Sequence, residues 1–245
     1  ALYELTQIFE LPKIPKRIEG YDISHMSGTD TVASMVVFSN GISNKSAYRK
    51  FKMNIPGNDD FAHMNEVIKR RLSDKNVKSW GLPDFILIDG GKGQLAAAIE
   101  ARDELNHKIP MIGLAKKYED LVISKSESLV SLNLEYIRKL EGLTYDESDN
   151  FVRISLPASK NIIKLLQRIR DESHRFAVSY HSVLKSTRQT KSFLDTIPGI
   201  GPSTKKKLLS RFGSKVAILN ADAEDLIPII GRAKTESLLK YKKVV

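Results

Sequence analysis

Apolar and polar positions along the chain change period several times, and each change marks an element. Residues 2–15 read as a short helix that Pro12 and Pro15 keep from continuing. Residues 17–24 (RIEGYDIS) and 31–39 (TVASMVVFS) have the β-branched, apolar character of strands. Asn40-Gly41 is a strong hairpin signal, and the alternation in 46–55 (SAYRKFKMNI) predicts an antiparallel return. Pro56-Gly57-Asn58 makes a turn. Asp59 and Asp60 then open a helix to about residue 72, where acid at the N-terminus matches the helix dipole. Residues 83–89 (PDFILID) form an apolar strand closed by Gly90-Gly91, followed by a helix over 93–105 and an apolar strand over 109–115. That strand–helix–strand rhythm predicts parallel pairing. Further strands are expected at 121–131 and 151–155, with an acidic, mobile loop over 141–150 between them.

A long helix is predicted from 159 to about 184, with Ile162, Leu165, Leu166, Ile169 and Phe176 on one side. The next stretch, KSTRQTK, is polar and basic and reads as a linker. The pattern therefore divides the chain into an α/β body at 1–184, a linker at 185–192 and a small all-α tail at 193–245. Inside the tail, IPGIG at 197–201 and IPIIG at 227–231 each precede a helix, a short internal repeat of helix, glycine hairpin and helix.

Gly199 and Gly201 permit positive φ and leave the backbone uncovered, and Pro202 suits the first position of a helix. Amides at that helix start can hold a phosphate. Lys205, Lys206, Lys207 and Arg211 surround it with charge and give sequence-independent, salt-sensitive affinity. This tail resembles the tandem helix-hairpin-helix module of DNA-repair proteins. Its second copy departs from the pattern: Ile229 stands where the first glycine belongs, leaving Gly231 alone.

Charge sharpens the division. From Val183 onward there are 13 Lys and Arg against 5 Asp and Glu, while the first 182 residues hold 26 against 24. A near-neutral body with a basic tail points to a polyanion as the tail's partner. The chain has no cysteine, which excludes disulfides, thiolate zinc sites and cysteine nucleophiles. No apolar run approaches the roughly 20 residues of a membrane span, and no secretory signal is visible. Beginning at Ala1, the chain reads as part of something longer.

Within the body, Asp22 lies mid-strand among residues suited to burial, and Asp89 ends the strand FILI at the edge where α/β sheets gather ligands. A buried carboxylate is costly unless hydrogen-bonded, paired or on a metal. Each is therefore either a strand-end cap or a ligand of a hard cation, Mg²⁺ or Mn²⁺. Asp60 has the position of a helix cap or first-turn charge. His174, in RDESHRF, sits on the polar flank of the long helix on one face with Arg170 and His181, either solvated or catalytic. His25, His63, His107 and His181 lack any distinguishing context. GGKGQ at 90–94 lacks the spacing of a nucleotide-binding phosphate loop.

IEGYDISHMSGTDTVASMVVFSNG, YRKF, DDFAHMNEVIKRR, PDFILIDGGKGQL and IRDESHRFA, followed by the hairpin pair, strongly resemble the UvrC family, the nuclease component of the ABC excinuclease, over essentially the whole chain. They correspond to the C-terminal half of that family. The resemblance implies a ribonuclease-H-like mixed sheet flanked by helices, in an endonuclease that incises DNA on the 5′ side of a lesion during bacterial nucleotide excision repair. It implies Asp22, Asp60, Asp89 and His174 as catalytic and metal-binding residues with Mg²⁺ or Mn²⁺. It further implies double-stranded DNA carrying a lesion or nick as substrate, the excinuclease component UvrB as partner with UvrA upstream, and a cytoplasmic, membrane-free setting. Gly20 stands where many members carry cysteine. Lys92, Arg70 and Arg71 are candidates for the DNA backbone, or are simply solvated. An endonuclease V-like enzyme and a non-catalytic DNA-binding scaffold are the rival readings.

Overall fold

The computed structural model describes residues 1–25, 31–115 and 119–242, the side chains at 180–189, 191–192 and 242 apart. They fall into two compact units, Ala1–Val178 and Ser179–Val245. Among the described residues no helix is long and apolar enough to cross a membrane.

The first unit is organised by one strand, β1 (Arg17–His25). It pairs antiparallel with β2 (Thr31–Ser39) along its whole length and parallel with β5 (Phe85–Asp89). β5 pairs parallel with β6 (Met111–Ala115), and β7 (Asp120–Ser124), β9 (Phe151–Ser155) and β8 (Thr144–Glu147) extend that side antiparallel. With β3 (Ile42–Ser43) beyond β2, the sheet mixes both modes, in the order β3-β2-β1-β5-β6-β7-β9-β8. Asn40 (φ 52°) and Gly41 (φ 78°) make the expected tight turn, both in the left-handed region that primed hairpins need. The returning strand is broken, however. β3 (Ile42–Ser43) and β4 (Arg49–Lys52) both pair with β2, and a 3₁₀ turn at Lys45–Ala47 separates them.

Alternation along β1 decides what each face meets. Gly20 faces α6 (Asn161–Asp195), and a Cβ on it would collide with Cγ2 of Ile169. Glycine here lets helix and strand approach closely. Ile162, Leu165, Leu166 and Ile169 are buried on that contact, as their period predicts. Glu19 and Tyr21 face the other way, toward α2 (Asp60–Arg71), which packs beside α4 (Lys92–Glu104). The sheet is therefore sandwiched between helices.

Three sequence expectations need correction. The acidic segment 141–150 contains β8, whose side chains are all exposed and whose order comes from backbone pairing with β9. The strand expected over 121–131 ends at Ser124, where the Ser128 hydroxyl accepts the Ser124 amide. The helix expected to end near residue 184 runs on to Asp195, taking in the 185–192 stretch. KSTRQTK holds no glycine or proline, and nothing in it stops a helix. The side chains of His181 and of most of that stretch lie outside the described residues. The helices α3 (Asp74–Trp80) and α5 (Leu134–Arg138) are too short for periodicity to reveal.

The second unit continues through α7 (Pro202–Phe212), α8 (Lys215–Asn220), α9 (Ala223–Ile230) and α10 (Arg232–Lys242). It has its own small core, in which Leu194, Leu208, Ile218, Leu226 and Leu238 are buried. IPII is the end of α9, not a loop, and Pro228 sits inside that helix. Gly199 (φ 83°) and Gly231 (φ 82°) are the left-handed residues of the two hairpins. By backbone conformation Gly231 therefore stands in for Gly199, although by sequence it aligns with Gly201.

Candidate active site

Asp22 and Asp89 each lie one residue beyond the last paired couple of the parallel β1–β5 ladder, Tyr21 and Ile88. Parallel pairing sends both carboxylates to one edge of the sheet, on one face. Both are buried. Asp22 Oδ2 accepts from the Ser24 hydroxyl at 3.0 Å. Its neighbour across the β1–β2 ladder, Ser34, donates to the carbonyl of Ser173 at 2.9 Å and so fixes α6 above the strand. The next residue of α6 is His174, whose Nδ1 stands 3.5 Å from Asp22 Oδ2 while most of its ring is exposed.

An open pocket of about 540 Å³ lies at this edge, lined by Asp89, Glu119, Arg170, Asp171, His174 and Arg175. Arg170 spans it, donating to Glu119 at 2.7 Å and to Asp171 at 2.8 and 3.0 Å. The Gln167 amide, outweighing partial burial and joined by Arg170, holds the Glu119 carboxyl below the usual range. Sequence reasoning misses Glu119. Its left-handed backbone (φ 57°) is the one unusual feature and is invisible in sequence.

The structure brings together Asp22, Asp89 and His174 but places Asp60 differently. Asp59, not Asp60, caps α2, accepting from Phe61 N and Ala62 N at 3.0 Å each. Asp60, in the first turn, meets His25 Nε2 at 2.5 Å, beside His63. The expected DNA contacts divide too. Arg71 is fully buried and donates to both oxygens of Glu19 at 2.8 and 3.0 Å and to the Gly81 carbonyl. It is a core residue, unable to reach a nucleic acid. Arg70, half-buried, is engaged by the Lys52 carbonyl and Glu66. Lys92, at the first position of α4, donates to Ser148 at 3.0 Å.

In the second unit, Gly201 precedes α7 with no side chain capping its first amides. Lys206, Lys207 and Arg211 are exposed, whereas Lys205 pairs with Asp195. Lys234 donates to Thr204 at 2.9 Å and ties the second hairpin's helix to the first's.

With this geometry in place, residues 6–178, well over half the chain, match the family model of the UvrC RNase H endonuclease domain. The chain belongs to the UvrC family. Residues 191–240 match the SAM-like helix-hairpin-helix tandem. The UvrABC system protein C of Methanococcoides burtonii is 44% identical over 235 residues, covering 96% of this chain and 35% of that protein. That of Chlorobium chlorochromatii is 42% identical over 242 residues, covering 98% and 35%. The chain thus spans about 35% of the length of these curated relatives. Among solved structures, endonuclease V of Ciona intestinalis bound to a 23mer DNA containing an inosine superposes with a TM-score of 0.42 at 15% identity, over 69% of this chain and 87% of that one. A likeness that slight says nothing about substrate.

Proposed function

We propose that this chain is the nuclease and DNA-gripping part of an excision-repair protein, hydrolysing one phosphodiester bond on the 5′ side of a lesion. The observation that carries this reading is the meeting of Asp22, Asp89 and His174 at the carboxyl edge of two parallel strands in a UvrC-family chain. The donor set fits a hard divalent cation. Two carboxylates stand side by side, and an imidazole lies 3.5 Å from one of them, near the spacing of two ligands held at about 2.1 Å by one ion. Mg²⁺ or Mn²⁺ bound there would lower the pKa of a water and offset charge developing on the phosphate.

The chain's own residues supply the rest. Ser24 and the β-ladder hold Asp22 in one orientation, and Ser34 sets the height of His174 above it. His174, mostly exposed and at the rim, orients the attacking water or takes its proton. Arg175 and Arg170 line the approach and favour a phosphate there. In the tail from 193 onward, the uncapped amides of α7 with Lys206, Lys207 and Arg211 hold the backbone of double-stranded DNA. Docking to the excinuclease component UvrB, upstream steps by UvrA, and a cytoplasmic setting belong to the same proposal for the longer protein.

The test is cleavage of a nicked, lesion-bearing duplex with Mg²⁺ or Mn²⁺. Asp22→Asn and Asp89→Asn are expected to lose cleavage and keep DNA affinity. Lys206→Ala with Lys207→Ala is expected to weaken binding and flatten its salt dependence. Normal cleavage by either Asp variant would overturn the site. A parent chain that binds but never cuts would favour the scaffold reading, and preference for an inosine substrate the endonuclease V-like one.

A further inference from the structure

A second set of metal-competent side chains lies on the face of β1 away from Asp22. His25, the last residue of β1, falls on the side of Glu19 and Tyr21, where α2 packs. Its Nε2 meets Asp60 Oδ1 at 2.5 Å, and its Nδ1 is 2.9 Å from the Thr31 hydroxyl. One turn further along α2, His63 is fully buried, with Nε2 3.0 Å from the carbonyl oxygen of Ile55. A carbonyl only accepts, so Nε2 carries the proton and Nδ1 keeps its lone pair. That Nδ1 is buried with no hydrogen-bond partner among the described residues. One donor atom from each of His25, Asp60 and His63 lies within 4.8 Å of the other two.

A buried imidazole nitrogen with a free lone pair is an unusual thing to leave unsatisfied. Here it adjoins a carboxylate and a second imidazole, and an ion accounts for all three. Each histidine also has an outer partner on its other nitrogen, the Thr31 hydroxyl or the Ile55 carbonyl, which is how ligating imidazoles are usually fixed.

We propose that His25, Asp60 and His63 bind a transition-metal ion of the Zn²⁺ type, at a site distinct from the hard-cation site formed by Asp22 and Asp89. Two imidazoles and one carboxylate suit Zn²⁺ and disfavour Mg²⁺, and they leave one tetrahedral position for water. Binding releases the proton of the His25–Asp60 hydrogen bond, and the pair opens to admit the ion. The ion then ties the end of β1, three residues past Asp22, to the start of α2. Asp60 on this account serves the second ion. The inference does not rest on the nuclease reading, since nothing in its test measures cleavage.

The probe is Zn²⁺ added to chelator-stripped chain, followed by calorimetry, with Co²⁺ as a visible-absorption reporter of imidazole ligation. The parent should bind one Zn²⁺ that excess Mg²⁺ does not displace, and its melting temperature should rise with the metal. His25→Ala and His63→Gln should lose more affinity than the roughly 10–100-fold that changes to outer partners cost. Asp22→Asn combined with Asp89→Asn should bind Zn²⁺ as the parent does. His63 is buried, so His63→Gln could unfold the chain; His25→Ala, partly exposed, carries the test, with its metal-free melting temperature as control. No Zn²⁺ binding by the parent, unchanged binding by His25→Ala, or loss of binding in the Asp22 and Asp89 double variant would each overturn the proposal.

Discussion

Glu19 and Asp22 are buried carboxylates three residues apart on one strand, facing opposite sides, and their surroundings differ completely. Glu19 receives Arg71 through two hydrogen bonds, Arg17 at 2.9 Å and the Tyr21 hydroxyl at 2.7 Å. Burial first, then the charge of Glu19, pushes the Tyr21 hydroxyl well above its ordinary pKa and keeps it a donor. Asp22 receives one hydroxyl, from Ser24, and a mostly exposed imidazole at 3.5 Å. A buried charge must be paired or hold a metal. Glu19 has its cation inside the fold; Asp22 lies beside His174, at the sheet edge that also carries Asp89. Burial alone thus does not mark a site.

The largest effect separating the two faces is expected at His174. If it assists the water, His174→Ala should slow cleavage by roughly 10²–10⁴-fold, the usual scale of acid–base help. Its side chain is 64% exposed, so stability should hardly change. Raising Mn²⁺ restores much of the rate if the residue is instead a ligand. Rates equal to the parent's across a metal titration would remove His174 from the site.

Next comes the opposite face. Arg71→Ala leaves Glu19 buried without its main partner and should cost about 3–5 kcal/mol of stability in urea denaturation. Asp22→Asn should cost far less, because among the described residues its ion-pair partner is the mostly exposed His174 at 3.5 Å. Equal losses from the two substitutions would erase the distinction drawn between Glu19 and Asp22.

This contrast is only half legible in the sequence. Their β-branched, apolar character marks β1 and β2, the run FILI marks β5, and the period of Ile162, Leu165, Leu166 and Ile169 marks the helix that carries His174. Resemblance groups Asp22 with Asp89, and only the structure shows the parallel register of β1 and β5 that sets them at one edge. Partner choice is a different matter. Arg70 and Arg71 look alike in sequence, yet only Arg71 falls on the side of α2 that meets Glu19, and tertiary packing makes that selection. Resemblance groups Asp60 with the other acids, while the Asp60-x-x-His63 spacing, one helical turn, is the local signal that it has imidazole company. The helix end expected near residue 184 is misplaced because the polarity of 185–192 outweighs its lack of helix-breaking residues.

The smallest expected effect lies at the rim of the Asp22 side, at Glu119, which is partly exposed and resembles Glu19 in being neutralised by neighbours. The Gln167 amide hydrogen bond, against partial burial and with help from Arg170, holds its carboxyl below the ordinary value. A depressed folded-state pKa favours the folded chain fully above the unfolded value, about 4.3, and that contribution fades as pH falls through the folded value. Arg170→Gln removes one of the two stabilising partners and leaves the burial that opposes ionisation. The Glu119 carboxyl should therefore titrate at higher pH in this variant, read by carbon NMR of the side-chain carboxyl, and its share of stability should be lost earlier on acidification. Solvent screening keeps the shift modest. A Glu119 titration unmoved by Arg170→Gln would mean that the Gln167 amide, without help from Arg170, holds the carboxylate low.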